Sequence, residues 1–404
     1  MSSRSAMNSL RANRWLMALL YALATGLALG MRAALLEFRS GDFVFVLNDW
    51  YRRLQYDGLA ALGRDFYDYN PPYIYLLLVV TRLFPGLPGL LGVKIPSILG
   101  DFICAILVQR LVALRTHDAK LRFLAYVFVL LSPPVVLNSA FWGQCDSLLA
   151  AALLACVLAL LRRRPWMATV FFAAGLAFKP QAAFFLPLLG VLWLRGHLSW
   201  KHFLPIPLLL ASAVLPVALA GRGLRSALGI YPRGITQYAM LTLNAPSLYA
   251  WLPARSDLQP LFHVAGLFFA GSVALLFVLV LSSAHGELRR KQIIAASTLC
   301  LLGMPFVLPA MHERYFYVGN MLAIVYAFYF RKQFYLPWVA ALVEFFAYMP
   351  YLFQGEWSPV PLPLLALANL IVVTIVARHP DALTASDHPQ RIRGAGSPEE
   401  RISR

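Results

Sequence analysis

The sequence predicts an all-α fold: a polytopic transmembrane helix bundle of about 12 spans, with a large first external loop carrying interfacial helices. Three observations carry that reading. Of the 404 residues 60% are apolar and 13% charged, with a mean hydropathy of +0.66, whereas charged residues make up about a quarter of a soluble globular chain. Apolar windows of roughly 20 residues, enough to span a bilayer core, recur along the whole chain. Between the first two windows, six acidic residues and several aromatics crowd into about 37 positions. Carboxylates are costly near a bilayer, so such a cluster marks a candidate site.

The first window, 15–36, follows Arg4, Arg11 and Arg14 and is too long for a signal-peptide core, so it is expected to remain as a first helix. The others are 92–114, 122–139, 145–161, 166–178, 182–194, 203–220, 261–281, 292–310, 316–330, 335–352 and 360–377. The run 73–85 is apolar but short and ends in Pro85-Gly86-Leu87-Pro88, which assigns it to the loop as an interfacial or re-entrant helix. The expected organisation is one transmembrane domain over 1–377, with external loops at 37–91 and 221–260. A polar cytoplasmic tail over 378–404 is expected to be disordered.

Charge sets the orientation. With both termini inside, cytoplasmic segments collect 22 basic residues against 12 outside, and acidic residues divide the other way, 6 against 11. The net charge of +17 therefore concerns orientation and anionic lipid, and nucleic acid is not an expected partner. This layout puts Asp42, Trp142-Gly143-Gln144-Cys145-Asp146, Lys179-Pro180-Gln181 and His312-Glu313-Arg314-Tyr315 on one external face.

Asp42 lies just past the first window between Gly41 and Phe43 and could accept a proton from a hydroxyl; a helix cap or a solvated loop charge would also account for it. His312 and Arg314 suit a phosphate, while Arg314 snorkelling and Glu313 capping are the plainer alternative. Lys179 interrupts an apolar run beside the helix-breaking Pro180, and so must meet an anion or reach water. Asp101 and Asp146 could each pair with one of these bases or with Lys94, structural pairing being the expected job of Asp101, and Gln144 and Asp146 could also touch sugar hydroxyls. Glu344 falls within a window and has no evident role beyond a proton or ion path. The four cysteines read as small hydrophobes without metal-ligand spacing, and no P-loop, dinucleotide-binding glycine pattern, HExxH pair or nucleophile elbow is present. No cofactor is expected, and the sequence does not decide metal dependence.

These motifs resemble the membrane-embedded glycosyltransferases of the C superfamily, which use polyprenyl-phosphate-linked sugars. The likeness is to bacterial relatives of the glycosylphosphatidylinositol-anchor second mannosyltransferase and, more distantly, to dolichyl-phosphate-glucose-dependent glucosyltransferases. It is carried by Gly41-Asp42-Phe43 with Trp50, Asp68-Tyr69-Asn70-Pro71-Pro72-Tyr73, Phe141-Trp142-Gly143-Gln144, Phe178-Lys179-Pro180-Gln181 and His312-Glu313-Arg314-Tyr315, in that order along the chain. The glucosyltransferases differ in having Lys-Gln directly after the Phe and Lys after His-Glu, where this chain has Pro180 and Arg314. The resemblance implies an inverting hexosyltransferase, mannose favoured, with Asp42 as general base and His312, Arg314 and Lys179 at the donor phosphate. Glu313, Tyr315, Trp142, Gln144, Asp146, Gln181, Tyr69 and Tyr73 are its further candidate substrate contacts. It implies a polyprenyl-phosphate sugar donor, a lipid, glycan or protein acceptor, and a bacterial inner membrane with the site on the periplasmic face. A transporter or lipid flippase is the rival class, which would predict midplane sites and related halves.

Overall fold

The computed structural model describes residues 3–231, 240–252, 257–283, 287–355, 357 and 359–378, with side chains from Arg14 onward. Of the tail expected over 378–404, Arg378 instead ends the last helix, and the rest, with parts of the expected loop 221–260, lies outside the described residues.

The described residues are helical almost throughout, as their apolar runs require. The main helices are α1 (Ser3–Ala33), α2 (Asn48–Asp57), α3 (Pro71–Leu83), α4 (Gly89–Ala113), α5 (Ala119–Leu131), α6 (Asp146–Leu161) and α7 (Pro165–Phe178). They continue as α8 (Leu186–Leu194), α9 (Pro205–Val217), α10 (Gln259–Ser283), α11 (Arg290–Val307), α12 (Tyr317–Tyr329), α13 (Leu336–Leu352) and α14 (Leu362–Arg378). Every apolar window named above coincides with one of these helices or with a helix and its flanking turns. Among the described residues, Arg14–Ala33, Gly89–Ala113, Trp200–Arg222 and Gln259–Ser283 are long and apolar enough to cross a membrane. A fifth span results if Ala119–Leu131 and Pro133–Trp142, bent by 50°, count as one. Other apolar helices are shorter, including α6 and α7; Ser132-Pro133 stops α5 and Lys179-Pro180 stops α7, since proline lacks an amide hydrogen and its ring clashes with the preceding turn. These apolar helices are compatible with a membrane protein.

Among the described residues two large buried clusters stand beside two smaller ones. The larger is built from α4, α6, α11 and α12 with their neighbours. The second belongs to the segment between α1 and α4, where Phe43, Trp50, Tyr51, Leu54, Tyr67, Tyr73 and Ile74 pack with Val214 and Val217 of α9. α3 starts on Asn70-Pro71-Pro72, with proline in the first turn, where its missing amide hydrogen costs nothing. α4 meets α2 at Gly92, where a Cβ would lie 2.2 Å from the Tyr51 ring. A two-residue parallel ladder, β1 (Thr242–Leu243) on β2 (Met311–His312), ties the later loop to the His312 motif.

Buried charge is satisfied rather than left facing lipid. Arg32 at the end of α1 forks onto Asp101 of α4 (2.8 and 2.9 Å) and donates to the Ala28 and Leu130 carbonyls. Asp101 also accepts from Ser139 and Tyr317. The partner of Asp101 is thus Arg32; Lys94 instead donates to the Leu35, Leu36 and Phe38 carbonyls just past α1. Removing one member of such a pair strands the other charge, at a cost of about 3–5 kcal/mol. Asp101→Ala is expected to lower the thermal unfolding midpoint in micelles sharply, and Arg32→Leu/Asp101→Leu to recover much of the loss; an unchanged midpoint in Asp101→Ala would contradict this role.

Candidate active site

The α6–α7 hairpin assembles the first half of the site. Its two helices have similar lengths and a tight turn at Arg162–Arg164, so the start of α6 returns beside the end of α7. Asp146 opens α6 and Lys179 follows α7, each at the helix end whose dipole favours its charge. Lys179 Nζ lies 2.6 Å from Asp146 Oδ1. Both side chains are buried. Burial disfavours the ammonium, but the Asp146 carboxylate more than offsets it and holds the Lys179 pKa above its ordinary value. The other carboxylate oxygen accepts from Asn138 Nδ2 at 2.9 Å and lies 3.9 Å from Arg314 Nε.

His312–Tyr315 form the turn between α11 and α12. Ala310, just before it, has φ 59°, a left-handed conformation rarely adopted by residues with a Cβ, and its amide is held by the Leu241 carbonyl at 2.8 Å. The Arg314 guanidinium donates to Glu313 Oε1 at 3.1 Å and lies over the Trp142 ring, 5.3 Å from its centre. Burial, with Arg314 and Lys179 nearby, pushes His312 down to about 2, so its imidazole is neutral and the 3.9 Å approach to Glu313 is not an ion pair. Burial raises Glu313 to about 7 against the opposing pull of Arg314.

Asp42 approaches from the other side. It directly precedes a π-helical turn, Phe43–Leu47, and makes no side-chain cap bond there. Its carboxylate instead reaches across the fold. Trp142 Nε1 donates to Oδ2 at 2.9 Å, Gln144 Nε2 donates to the same oxygen, and the Tyr351 hydroxyl donates to Oδ1. Trp142 ends a second π-helical turn, Leu137–Trp142, and such wide turns re-aim side chains, often at functional sites. Gly143 follows at φ 84°, allowing the chain to reverse so that the Gln144 amide bonds the Asn138 carbonyl. Ser40 donates to the Trp142 carbonyl at 2.7 Å, fixing the loop to this turn.

Most of the expected residues therefore meet. Tyr69 donates to Gln144 Oε1 (3.1 Å) and its ring faces Lys179 Nζ at 5.3 Å. Tyr73 packs against Tyr69, and Tyr315 against His312. Gln144 and Asp146, expected at sugar hydroxyls, are buried and engaged with protein groups. Gln181 lies in the 3-10 turn after Lys179; among the described residues its Oε1 and the Tyr73 hydroxyl have no hydrogen-bond partner. Asp49, Asp57 and Asp65 pair with Arg53, Arg64 and Arg222, away from this network. The sequence reading missed Tyr351, Tyr348 and Asn138, whose only signal was a polar or aromatic residue within or beside an apolar run. Among the described residues no group of three or more His, Cys, Asp or Glu could hold a metal ion.

Residues 67–195 match the family model of the alpha-(1->6)-mannopyranosyltransferase N-terminal domain. The match contains Tyr69, Tyr73, Trp142–Asp146, Lys179 and Gln181, and it supports a mannosyltransferase family. No curated protein matches the chain.

Glu313 gives the site a pH dependence. Its pKa is raised, so it is neutral below about pH 7 and anionic above. Ionised, it offsets Arg314 and repels an incoming anion. Measured by titration in nanodiscs, affinity for a short-chain sugar phosphodiester, whose own charge does not change near neutrality, is expected to fall as pH rises through 7 in the wild type and to flatten in Glu313→Gln; identical profiles would contradict this assignment.

Proposed function

We propose that this chain is a membrane glycosyltransferase that moves a mannosyl group from a polyprenyl-phosphate donor to an acceptor hydroxyl, with inversion. The single observation that carries the reading is that Trp142, Gln144 and Tyr69 link the three charged groups: Trp142 and Gln144 donate to Asp42, Arg314 lies over the Trp142 ring, and Lys179 lies over the ring of Tyr69, which donates to Gln144. A base and an anion clamp on opposite sides of one space are what displacement of a lipid phosphate requires. The family match over residues 67–195 supplies the sugar.

In this mechanism the acceptor oxygen attacks the anomeric carbon as its proton passes to Asp42. The bond from that carbon to the phosphate oxygen breaks, and polyprenyl phosphate leaves on the opposite face carrying the electron pair. Phosphate is a good leaving group, so no general acid is needed. Arg314 and Lys179 stabilise the charge that builds on it, and neutral His312 can donate a hydrogen bond. Trp142, Gln144 and Tyr351 aim the Asp42 carboxylate. An α product made by inversion calls for a β-linked donor.

We place the site at the external face of a bundle of about 12 spans with both termini inside. The asymmetry of basic residues supports this side, and α2 and α3 then lie along the interface within the first loop.

General-base help amounts to roughly 10²–10⁴-fold. In nanodiscs supplied with radiolabelled polyprenyl-phospho-mannose and a native membrane extract, wild type is expected to transfer label. Asp42→Asn should lose at least about 10²-fold while retaining its unfolding midpoint. Full activity in Asp42→Asn would sink the assignment, and donor binding without transfer by the wild type would favour a flippase.

A further inference from the structure

Glu344 takes no part in the chemistry above, yet it is a carboxylate buried to 2% exposure in the middle of α13. A group so costly at that depth must be held by partners, and they are specific. Asn320 Nδ2 of α12 donates to Oε2 at 2.5 Å, and the Tyr348 hydroxyl donates to Oε1 at 2.5 Å. Tyr348 is fully buried and faces both halves of the site. Its hydroxyl accepts from Asn138 Nδ2 at 3.4 Å, and that same amide nitrogen holds Asp146. Its ring meets Trp142 edge to face, with centres 5.2 Å apart, and Trp142 holds Asp42.

Helical spacing makes this a single face. Glu344, Tyr348 and Tyr351 stand at i, i+4 and i+7, and so line one stripe of α13. Tyr351 at its end donates to Asp42 and stacks on Trp142 at 4.8 Å. Asn320 belongs to α12, whose first turn follows directly from Arg314. One stripe thus touches the base, reaches the ion pair behind the phosphate clamp through Asn138, and bonds the helix that begins just after the Arg314 turn.

We propose that Glu344 is a positioning residue: through Tyr348 it fixes Trp142 on the base side and Asn138–Asp146 on the clamp side, so that base and leaving group keep one relative geometry. The proposal rests on the transferase reading above. A misplacement of about 1 Å can cost on the order of 10²-fold in rate, so rigid spacing between Asp42 and Lys179–Arg314 is worth a buried carboxylate. Glu344 acts here as an acceptor of two hydrogen bonds. Its charge is not what the site uses, since a glutamine carbonyl can still accept from Tyr348 while Asn320 turns its own carbonyl toward the new amide.

The test compares Glu344→Gln, Glu344→Leu, Tyr348→Phe and Glu344→Leu/Tyr348→Phe in nanodiscs, with kcat and KM expressed per folded molecule. Glu344→Gln is expected within a few-fold of wild type. Glu344→Leu and Tyr348→Phe should each lower kcat by about 10–100-fold with little change in donor KM. The double variant should be no worse than the poorer single, because both interrupt one chain. Tyr348→Phe keeps the ring against Trp142 and serves should Glu344→Leu not fold. Wild-type kcat in both single variants, with only the unfolding midpoint lowered, would overturn the inference and leave the transferase reading intact. Glu344→Gln as inactive as Glu344→Leu would also overturn it, by showing that the charge itself is needed. A wild type that transfers nothing would remove both readings together.

Discussion

The ion pair of Lys179 and Asp146 constrains everything built around it, because two charges taken out of water must satisfy each other or not be there. Desolvating a buried ion costs several kcal/mol, recovered only when geometry is close and the remaining lone pairs find donors. Here the hairpin of α6 and α7 supplies the closeness, the helix ends supply favourable dipoles, and Asn138 supplies a further donor. Arg314 stands 3.9 Å from the same carboxylate and donates to Glu313 Oε1 at 3.1 Å, so Glu313 offsets its charge only while ionised. A phosphate is the anion whose shape suits that guanidinium.

Around this pair the fold separates two jobs. The bundle core holds the cations just past α7 and just before α12, while the loop core of α2 and α3 presents Asp42 from the other side. Trp142-Gly143-Gln144 links the two sides, with Trp142 in a smaller cluster beside Tyr348, Met349 and Leu352 of α13. Its indole and amide orient Asp42, its carbonyl accepts from Ser40, and its ring lies beneath Arg314. Two π-helical turns, just after Asp42 and just before Gly143, give these side chains directions that an uninterrupted α-helix would not.

Much of this was legible in the sequence, for identifiable reasons. Apolar runs mark helices almost independently of what they pack against, so the windows and the short helix near 73–85 coincide with α1, α3–α14 and their flanking turns. Charged residues in apolar surroundings announce themselves, so Asp42, Lys179 and His312–Tyr315 stood out before any geometry was known. What the sequence withheld was pairing. Arg32 rather than Lys94 holds Asp101, because the crossing of α1 and α4 decides it and no local pattern records that crossing. Asp146 was readable as the partner of some base, but only the hairpin of α6 and α7 selects Lys179, and nothing local records that Gln144 bonds Asp42 and Tyr69. Tyr351 reads as one more aromatic at the end of an apolar run; only the approach of α13 to the first loop gives it a carboxylate.

The central claim is that one space lies between Asp42 and the Lys179–Arg314 pair and receives the donor. The most direct measurement is a cryo-electron microscopy structure in nanodiscs with a non-transferable phosphonate analogue of polyprenyl-phospho-mannose. The account predicts the phosphonate against Arg314 and Lys179, the anomeric carbon turned toward Trp142, and Asp42 facing the side opposite the phosphorus. A phosphonate bound elsewhere in the bundle, or Asp42 on the same side of the sugar as the phosphorus, would contradict it.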